Sequence, residues 1–486
     1  MGAMGADPMA QAASGGGVDR GVQPVPPSVP SCPSGGNLSG FRHRRTGREV
    51  YRCKKAHRSE IGPHEWSKFG YCFKEEVLQQ PICYDGKQTL PIPRIKRSEI
   101  TPEEFFERFA LPRRPCIIEG AIEDWPAMQR WDIGPLLEHY AHAPFKVGED
   151  DKGRKLRMKL KYFVDYMQSQ QDDSPLYLFE TKMEGDPVFR HLLEDFTVPD
   201  LFPHDFFDLM NSHSKPPYRW WSIGPKRSGT TVHKDPLGTA AWNAVTHGRK
   251  RWVIFEPEPI VPARVAKGKD VIDKQKEDDE AVMYFDFLLP RIKAKHPQLR
   301  VYEGIQNAGE VIFVPGNWWH GVINLEDTVA VTQNYCGYDN FDDVWQRTRR
   351  ERKKLAYLWL RNMRKFAPDL YRRAMQLNQI DAFVMRHERK ADEVYSSSDS
   401  DSSSSESSSD SSSDAECDLD LWGEQAKVQI APPWLRGAAT PGNGETVASV
   451  ATPQSAAHPS CPVRQRKRPH GWSTPEPAEQ PPLLYA

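Results

Sequence analysis

The sequence predicts a mainly β fold, a small barrel or jelly roll set between N-terminal α/β elements and C-terminal helices. Between residues 218 and 335 a series of short β-type runs, YRWWSIG, TTVHKD, RWVIFEP, GEVIFVPGNWWHGVINL and VAVTQNY, is punctuated by Gly, Pro and Asn. Those runs do not alternate with helical stretches, as a parallel βα sheet requires. Upstream, capped helices and short strands are mixed; downstream of residue 342 the apolar residues recur with helical periodicity.

In chain order, residues 1–94 read as a mostly disordered leader. Up to about residue 40 it is rich in Gly, Ser and Pro and lacks the apolar area to offset chain ordering. The basic line RHRRTGREVYRCKKAHR at 42–58 is either a contact for an anionic partner or an import receptor, or a solvated extension. An α/β support region is expected over 95–217. There Thr101 caps a helix opened by Pro102 and Glu103, with Phe105, Phe106 and Phe109 on its apolar face. Cys116–Ile118 and 174–180 read as strands, 131–140 and 161–168 as helices. The β core spans 218–341, and its charged insertion at 259–283 is expected over the barrel mouth. A helical region follows at 342–392, with Trp345, Leu355, Leu358, Trp359 and Met363 available for one buried side and Pro368 as a break. The tail, 393–486, holds the serine and acid tract at 396–418 and the basic patch RQRKRPH at 464–470. It reads as solvated, the first part a polyanion if phosphorylated and the second either a nuclear-import signal or merely a soluble stretch.

Composition bounds the function more than it names it. Lys plus Arg (65) nearly cancels Asp plus Glu (66), which by itself points to no partner. The cysteines at 32, 53, 72, 83, 116, 336, 417 and 461 are scattered without a CxxC pair, which favours a reducing compartment over a secreted disulfide scaffold. No window reaches the roughly 18 consecutive apolar residues of a membrane span, so no membrane partner is expected. The start MGAMGADP fits neither a signal peptide nor, despite Gly2, a myristoylation signal.

The chemistry concentrates in TTVHKD. Successive side chains of a strand alternate faces, so His233 and Asp235 point one way and Lys234 the other. His320, in PGNWWHGVIN, supplies a distant third ligand at a strand margin. Two imidazoles and one carboxylate form the facial triad of non-haem Fe(II), although zinc uses the same ligand types. Singly, each of these residues reads equally as a hydrogen-bonded histidine or a turn aspartate. A chelating keto acid would also need a cation and hydroxyl or amide donors for its distal carboxylate. Lys250 opens the next strand, and Thr230, Asn243, Thr332 and Asn334 are polar residues within β segments. Otherwise Lys250 is a solvated edge lysine and the four polar residues cap turns.

The stretches RSGTTVHKDPLGTAAWNAVTHGRKRWVIFEP and GEVIFVPGNWWHGVINLEDTVAVTQNY resemble the jumonji-C oxygenases, in particular their lysyl-hydroxylase and arginine-demethylase members. The likeness runs from about 95 to 375, through GED at 148–150, DDSPLYLFE, LLEDFTVP and PPYRWWSIGP, and extends to the serine tract. The resemblance implies a double-stranded β-helix of cupin type, Fe(II) on His233, Asp235 and His320, 2-oxoglutarate as co-substrate, and O2 as oxidant. It assigns Lys250 to the 2-oxoglutarate, with Thr230, Asn243, Thr332 and Asn334 around it and Tyr162 and Trp220 as further pocket residues. Two neighbours depart from the member it resembles: Thr231 stands in place of a glycine and Lys234 in place of an isoleucine.

The implied reaction hydroxylates a lysine carbon, or removes a methyl group from arginine or lysine through an unstable carbinolamine. By resemblance the expected substrates are basic proteins such as arginine/serine-rich splicing factors and histones. Asp172, Asp173 and Glu280 are candidate acids at the mouth. RNA is a further expected partner through the basic stretches, including Arg347–Lys365. The resemblance also implies self-association through the helices after 342, a surface that could instead receive a different protein, and a place in the nucleus, nucleoplasm or nucleolus, with the cytoplasm second. Two other classes remain open: a nuclear scaffold recruiting partners through its tails, and a cupin-type metalloenzyme that needs no keto acid.

Overall fold

The computed structural model describes residues 43–211 and 214–385. The Gly-rich start, the serine and acid tract and the basic patch at 464–470 lie outside them. The strands are β1 (Thr89–Pro91), β2 (Arg94–Lys96), β3 (Cys116–Glu119), β4 (Pro144–Glu149), β5 (Lys155–Lys159), β6 (Leu178–Glu180) and β7 (Arg219–Gly224). They continue with β8 (Gly229–His233), β9 (Ala240–His247), β10 (Lys250–Phe255), β11 (Val301–Gln306), β12 (Val311–Val314), β13 (Trp319–Asn324) and β14 (Thr328–Tyr335).

One sheet runs β1-β11-β10-β13-β8 and another β2-β3-β12-β9-β14-β7-β6, with β4 and β5 as a separate hairpin. From β7 onward the chain passes back and forth between the two large sheets, except that β10 and β11 share one, and every pairing among β7 to β14 is antiparallel. This is the double-stranded β-helix of a jelly roll.

The period of two along each strand sorts the side chains into three cores. Ala241, Trp252, Ile254, Ile312, Val314 and Val322 meet between the sheets with Ile92, Ile117 and Trp318. From the same strands Trp242, Ala244, Val311 and Phe313 face outward onto the N-terminal helices, and Val253, Phe255 and Ile323 face the insertion. β9, β10, β12 and β13 are therefore covered on both faces, which explains their nearly continuous apolar runs. Each such large side chain contributes roughly 1.5–3 kcal/mol on burial.

Several elements form as expected. The Thr101 hydroxyl accepts the Glu104 N–H at 3.2 Å while the Glu104 carboxylate accepts the Thr101 N–H at 2.9 Å, a complete capping box. Helices occupy Ile133–Tyr140 and Leu160–Ser169. One C-terminal helix ends at Phe366 and the next opens at Pro368, after an earlier break at Arg352.

Other expectations are corrected. The leader folds over its described part: Thr46–His57 is a helix that buries Val50 and Cys53, and β1 and β2 join the sheets in parallel to β11 and β3. Its basic line concealed this because the apolar stripe is only two residues wide; Lys54 and Arg58 are held by Asp172 and Asp278, each at 2.6 Å. The β core is not confined to 218–341, since β1, β2, β3 and β6 extend both sheets. The strand expected at 174–180 shortens to Leu178–Glu180. The insertion covers the outer face of the five-stranded sheet through Val261, Val265, Ala266 and Val282.

Candidate functional site

His233 ends β8, and the backbone stays extended through Asp235 (φ −61°, ψ 146°) before turning at Pro236–Gly238. Both side chains therefore leave the same side of the chain. Leu237 takes φ 57° in this turn, and Gly316 of the loop before β13 packs on it so closely that a Cβ would stand 2.4 Å from the Gly238 carbonyl oxygen. That contact requires glycine and fixes where β13 begins. His320, its second residue, lies opposite His233 in the strand register.

His233, Asp235 and His320 each place one ligand atom within 4.8 Å of the others. The Nε2 atoms of His233 and His320 stand 3.9 Å from Asp235 Oδ1 and Oδ2 respectively. On the far side of each ring, Nδ1 meets a backbone carbonyl, Thr231 at 2.8 Å and Trp318 at 3.0 Å. A ring that donates Nδ1–H to a carbonyl keeps its Nε2 lone pair for a cation. Exclusion of solvent and the adjoining His320 imidazole push His233 below the ordinary imidazole range, which favours that neutral form. Asp235 Oδ2 is buried without a hydrogen-bond partner. An orphaned carboxylate oxygen flanked by imidazole nitrogens fits a divalent metal ion.

Register places the other polar residues. Lys250 faces the same side of its sheet as His320, because Ile254 pairs with His320 and four residues return a strand to the same face. Its ammonium is buried, Lys250 being 2% exposed, and the partner recorded for it among the described residues is the Tyr177 hydroxyl at 3.4 Å. A buried cation without a carboxylate calls for an anionic ligand. Thr230 pairs with Val322 after a bulge, on the side of His320. Across the opposite sheet Asn243, Thr332 and Trp220 form one row, with Asn334 two residues on from Thr332. Asn243 Oδ1 is buried and unpartnered. The Thr332 hydroxyl donates to the Trp242 carbonyl at 2.9 Å, and the Asn334 amide to Thr239 Oγ1 at 3.1 Å.

Tyr162 does not join them. It sits on the helix Leu160–Ser169 in the core outside the seven-stranded sheet, its ring 5.9 Å from that of His43. The residue missed by the sequence reading is Tyr177, immediately before β6. It touches Lys250 through its hydroxyl, and a Cβ on Gly224 would come within 2.7 Å of its ring. The acids expected at the mouth are engaged elsewhere. Asp172 pairs with Lys54 and Tyr166, Asp173 accepts the Phe69 and Tyr71 N–H groups, and Glu280 meets Arg58 and Ser174. At the two departures, Thr231 contributes its carbonyl rather than its side chain to the site, and Lys234 extends over the Trp319 ring.

Residues 102–342 match the family described as a cupin-like domain. The chain is 38% identical over 343 residues to the bifunctional arginine demethylase and lysyl-hydroxylase psr-1 of Caenorhabditis elegans, an alignment covering 70% of this chain and 83% of that protein. It is 36% identical over 251 residues to the lysine-specific demethylase JMJ21 of Arabidopsis thaliana, covering 51% of this chain and 26% of that protein. It is 29% identical over 268 residues to the 2-oxoglutarate and iron-dependent oxygenase JMJD4 of Mus musculus, covering 50% and 60% respectively.

Proposed function

Since the chain belongs to the jumonji-C group of the cupin-like family, we propose that it hydroxylates lysine side chains of proteins, with demethylation of methylarginine as a second outcome at the same centre. It is an Fe(II)- and 2-oxoglutarate-dependent oxygenase. The observation that carries this reading is the pairing of an orphaned Asp235 carboxylate between two Nε2 atoms with a buried, unpaired Lys250 on the same inner face.

His233, Asp235 and His320 would hold the iron. Ferrous iron and 2-oxoglutarate supply, when bound, the activation of O2 and the insertion of one oxygen atom into a C–H bond. The Thr231 and Trp318 carbonyls hold both imidazoles in one tautomer and orientation. Lys250 offers the charge for the distal carboxylate of the keto acid, and Tyr177 orients the ammonium. Asn243 offers its partnerless amide oxygen toward the same interior, while Trp252, Ile254 and Val322 wall it against water. The remaining opening then decides which C–H bond of an incoming side chain comes within reach.

Arginine/serine-rich splicing factors and histones are the proposed substrate class, with RNA as a further partner, and the nucleus is the proposed place of action. The basic patch at 464–470 supports that location; the line at 42–58 supports it less, because Lys54 and Arg58 are ion-paired in the fold.

The test is anaerobic loading of the full chain with Fe(II) and 2-oxoglutarate, followed by O2 and a panel of lysine and methylarginine peptides analysed by mass. Gain of one oxygen on unmethylated lysine is expected. Loss of a methyl group alone would assign demethylation as the main activity, and failure to form succinate with any peptide would refute the oxygenase reading.

A further inference from the structure

We propose that the basic cleft at the break between the first two C-terminal helices, lined by Arg352, Lys353 and Lys354, takes the serine and acid tract 396–418 of the same chain. The contact covers this face of the protein with its own tail; it goes beyond the oxygenase reading above and does not depend on it.

The helix Phe341–Glu351 stops at Arg352 (φ −130°, ψ 65°), and the helix Lys353–Phe366 begins at once. The break gathers Arg352, Lys353 and Lys354 around one cleft of about 450 Å³, whose remaining lining is Ser214, Leu355 and Leu358. The three basic residues are exposed, while Leu355 and Leu358 are half-buried against the C-terminal core. From Arg347 to Lys354 the sequence holds a single acid, Glu351. Other acids of the C-terminal region are engaged: Asp342 with Arg373 at 3.0 Å, Asp208 with Lys215, and Asp369 with Arg372. Among the described residues Lys353 and Lys354 take part in no ion pair. Such an excess of cations calls for a polyanion.

The fold delivers one to the same corner. Asp381, just past the helix Pro368–Ile380, pairs with Arg349 and lies 3.7 Å from Arg350. The Arg349 guanidinium covers the Phe383 ring at 4.5 Å, and Met385 is buried. The chain therefore leaves the core beside the last turn of Phe341–Glu351, immediately before the cleft. From Met385 to Ser396 it advances 11 residues, a reach of roughly 36–40 Å when extended, whereas the helix Lys353–Phe366 is only about 21 Å long. In the tract, acids recur from Asp399 to Asp418 with no Lys or Arg among them, and serine fills most other positions. A short tether holds such a segment near its site at an effective concentration on the order of millimolar. The partly apolar walls screen the attraction less than open water does, and phosphorylation of the serines would strengthen it. RNA is the poorer fit, because the cleft lining includes no aromatic ring on which a base could stack.

The experiment treats the full chain with a water-soluble carbodiimide, which joins a lysine amine to a touching carboxylate, and maps the links by mass. Links from Lys353 or Lys354 to acids between Asp399 and Asp418 are expected, and high salt should suppress them. Mixing isotopically labelled and unlabelled chains separates links within one chain from links between two. Links formed only between chains would overturn the inference, as would tract links that spare Lys353 and Lys354. In a second measurement, a fluorescent synthetic peptide of residues 396–418 is titrated with the full chain. A variant whose own tract carries Asn for Asp and Gln for Glu should bind this peptide roughly ten-fold more tightly than the unaltered chain, because its tethered competitor is gone. Adding Lys353→Gln and Lys354→Gln to that variant should abolish the gain. Equal affinity of the unaltered and tract-neutralised chains would overturn the proposal, and so would a single-stranded oligonucleotide that binds through Lys353 and Lys354 while the peptide does not bind.

Discussion

His233 and His320 face each other across two antiparallel strands, their ring centres 4.4 Å apart, and Asp235 turns a carboxylate oxygen toward each. Two facing imidazoles and one acid with an oxygen lacking a partner are a cost to the metal-free protein and a gain once a cation arrives. Asp235→Asn is therefore expected to leave the metal-free Tm unchanged or slightly raised. The rise in Tm caused by added Fe(II) or Co(II), present in the unaltered protein, should vanish. Scanning calorimetry with and without metal under anaerobic conditions reads both.

His320→Ala should abolish iron retention, measured by metal analysis after gel filtration, and with it succinate formation. The far-ultraviolet circular dichroism should remain that of the parent, since the substitution removes a side chain that meets the Trp318 carbonyl and leaves the strand backbone intact.

Lys250→Met keeps the length and apolar stem but removes the buried charge. Loss of one partner from a buried charge pair costs about 3 kcal/mol, so the Kd for 2-oxoglutarate should rise roughly a hundred-fold by isothermal titration. Tyr177→Phe, which removes the 3.4 Å contact to the ammonium, should weaken binding by a smaller factor.

Thr101→Ala removes half of the capping box and should lower unfolding stability by about 1 kcal/mol, with Thr101→Ser recovering most of it. Urea titration monitored by tryptophan fluorescence is the measurement.

Burial, then the charge of Asp208, pushes the Asp205 carboxyl up to about 7 from 3.8. Burial likewise raises Asp339 to about 7. A carboxyl raised in the fold contributes its full stability below its ordinary value and loses it as pH climbs through the raised one. Tm should accordingly fall between about pH 4 and pH 7.5. Asp205→Asn should narrow that fall, because its Oδ1 still accepts the Phe207 and Cys336 N–H groups at 3.1 Å each.

The triad was legible because its signal is short-range: a spacing of two in a β run, and a late histidine after Gly316 and Asn317. Lys250, Asn243 and Thr332 were legible only through the wider resemblance, since a polar residue in a strand has many uses. Tyr177 escaped because one aromatic among apolar neighbours, in LYLF, carries no mark of the lysine it will meet 73 residues later. Tyr162 was assigned to the pocket by the resemblance alone, whereas its helix packs it against the outer core. The helix Thr46–His57 shows the same limit, because a basic surface hides a narrow buried stripe. No local pattern could reveal that Lys54 finds Asp172.

Residues 89–96 supply β1 and β2, which pair with β11 and β3 and bring Ile92 between the two sheets. A nascent chain therefore holds these two short strands for some two hundred residues until the mate of β1 is synthesised, a slow, long-range closure. Trimming the protein to its oxygenase motifs would strip β11 of that cover and leave a bare ladder of amide and carbonyl groups. Such a fragment is expected to recruit strands from its own kind and precipitate.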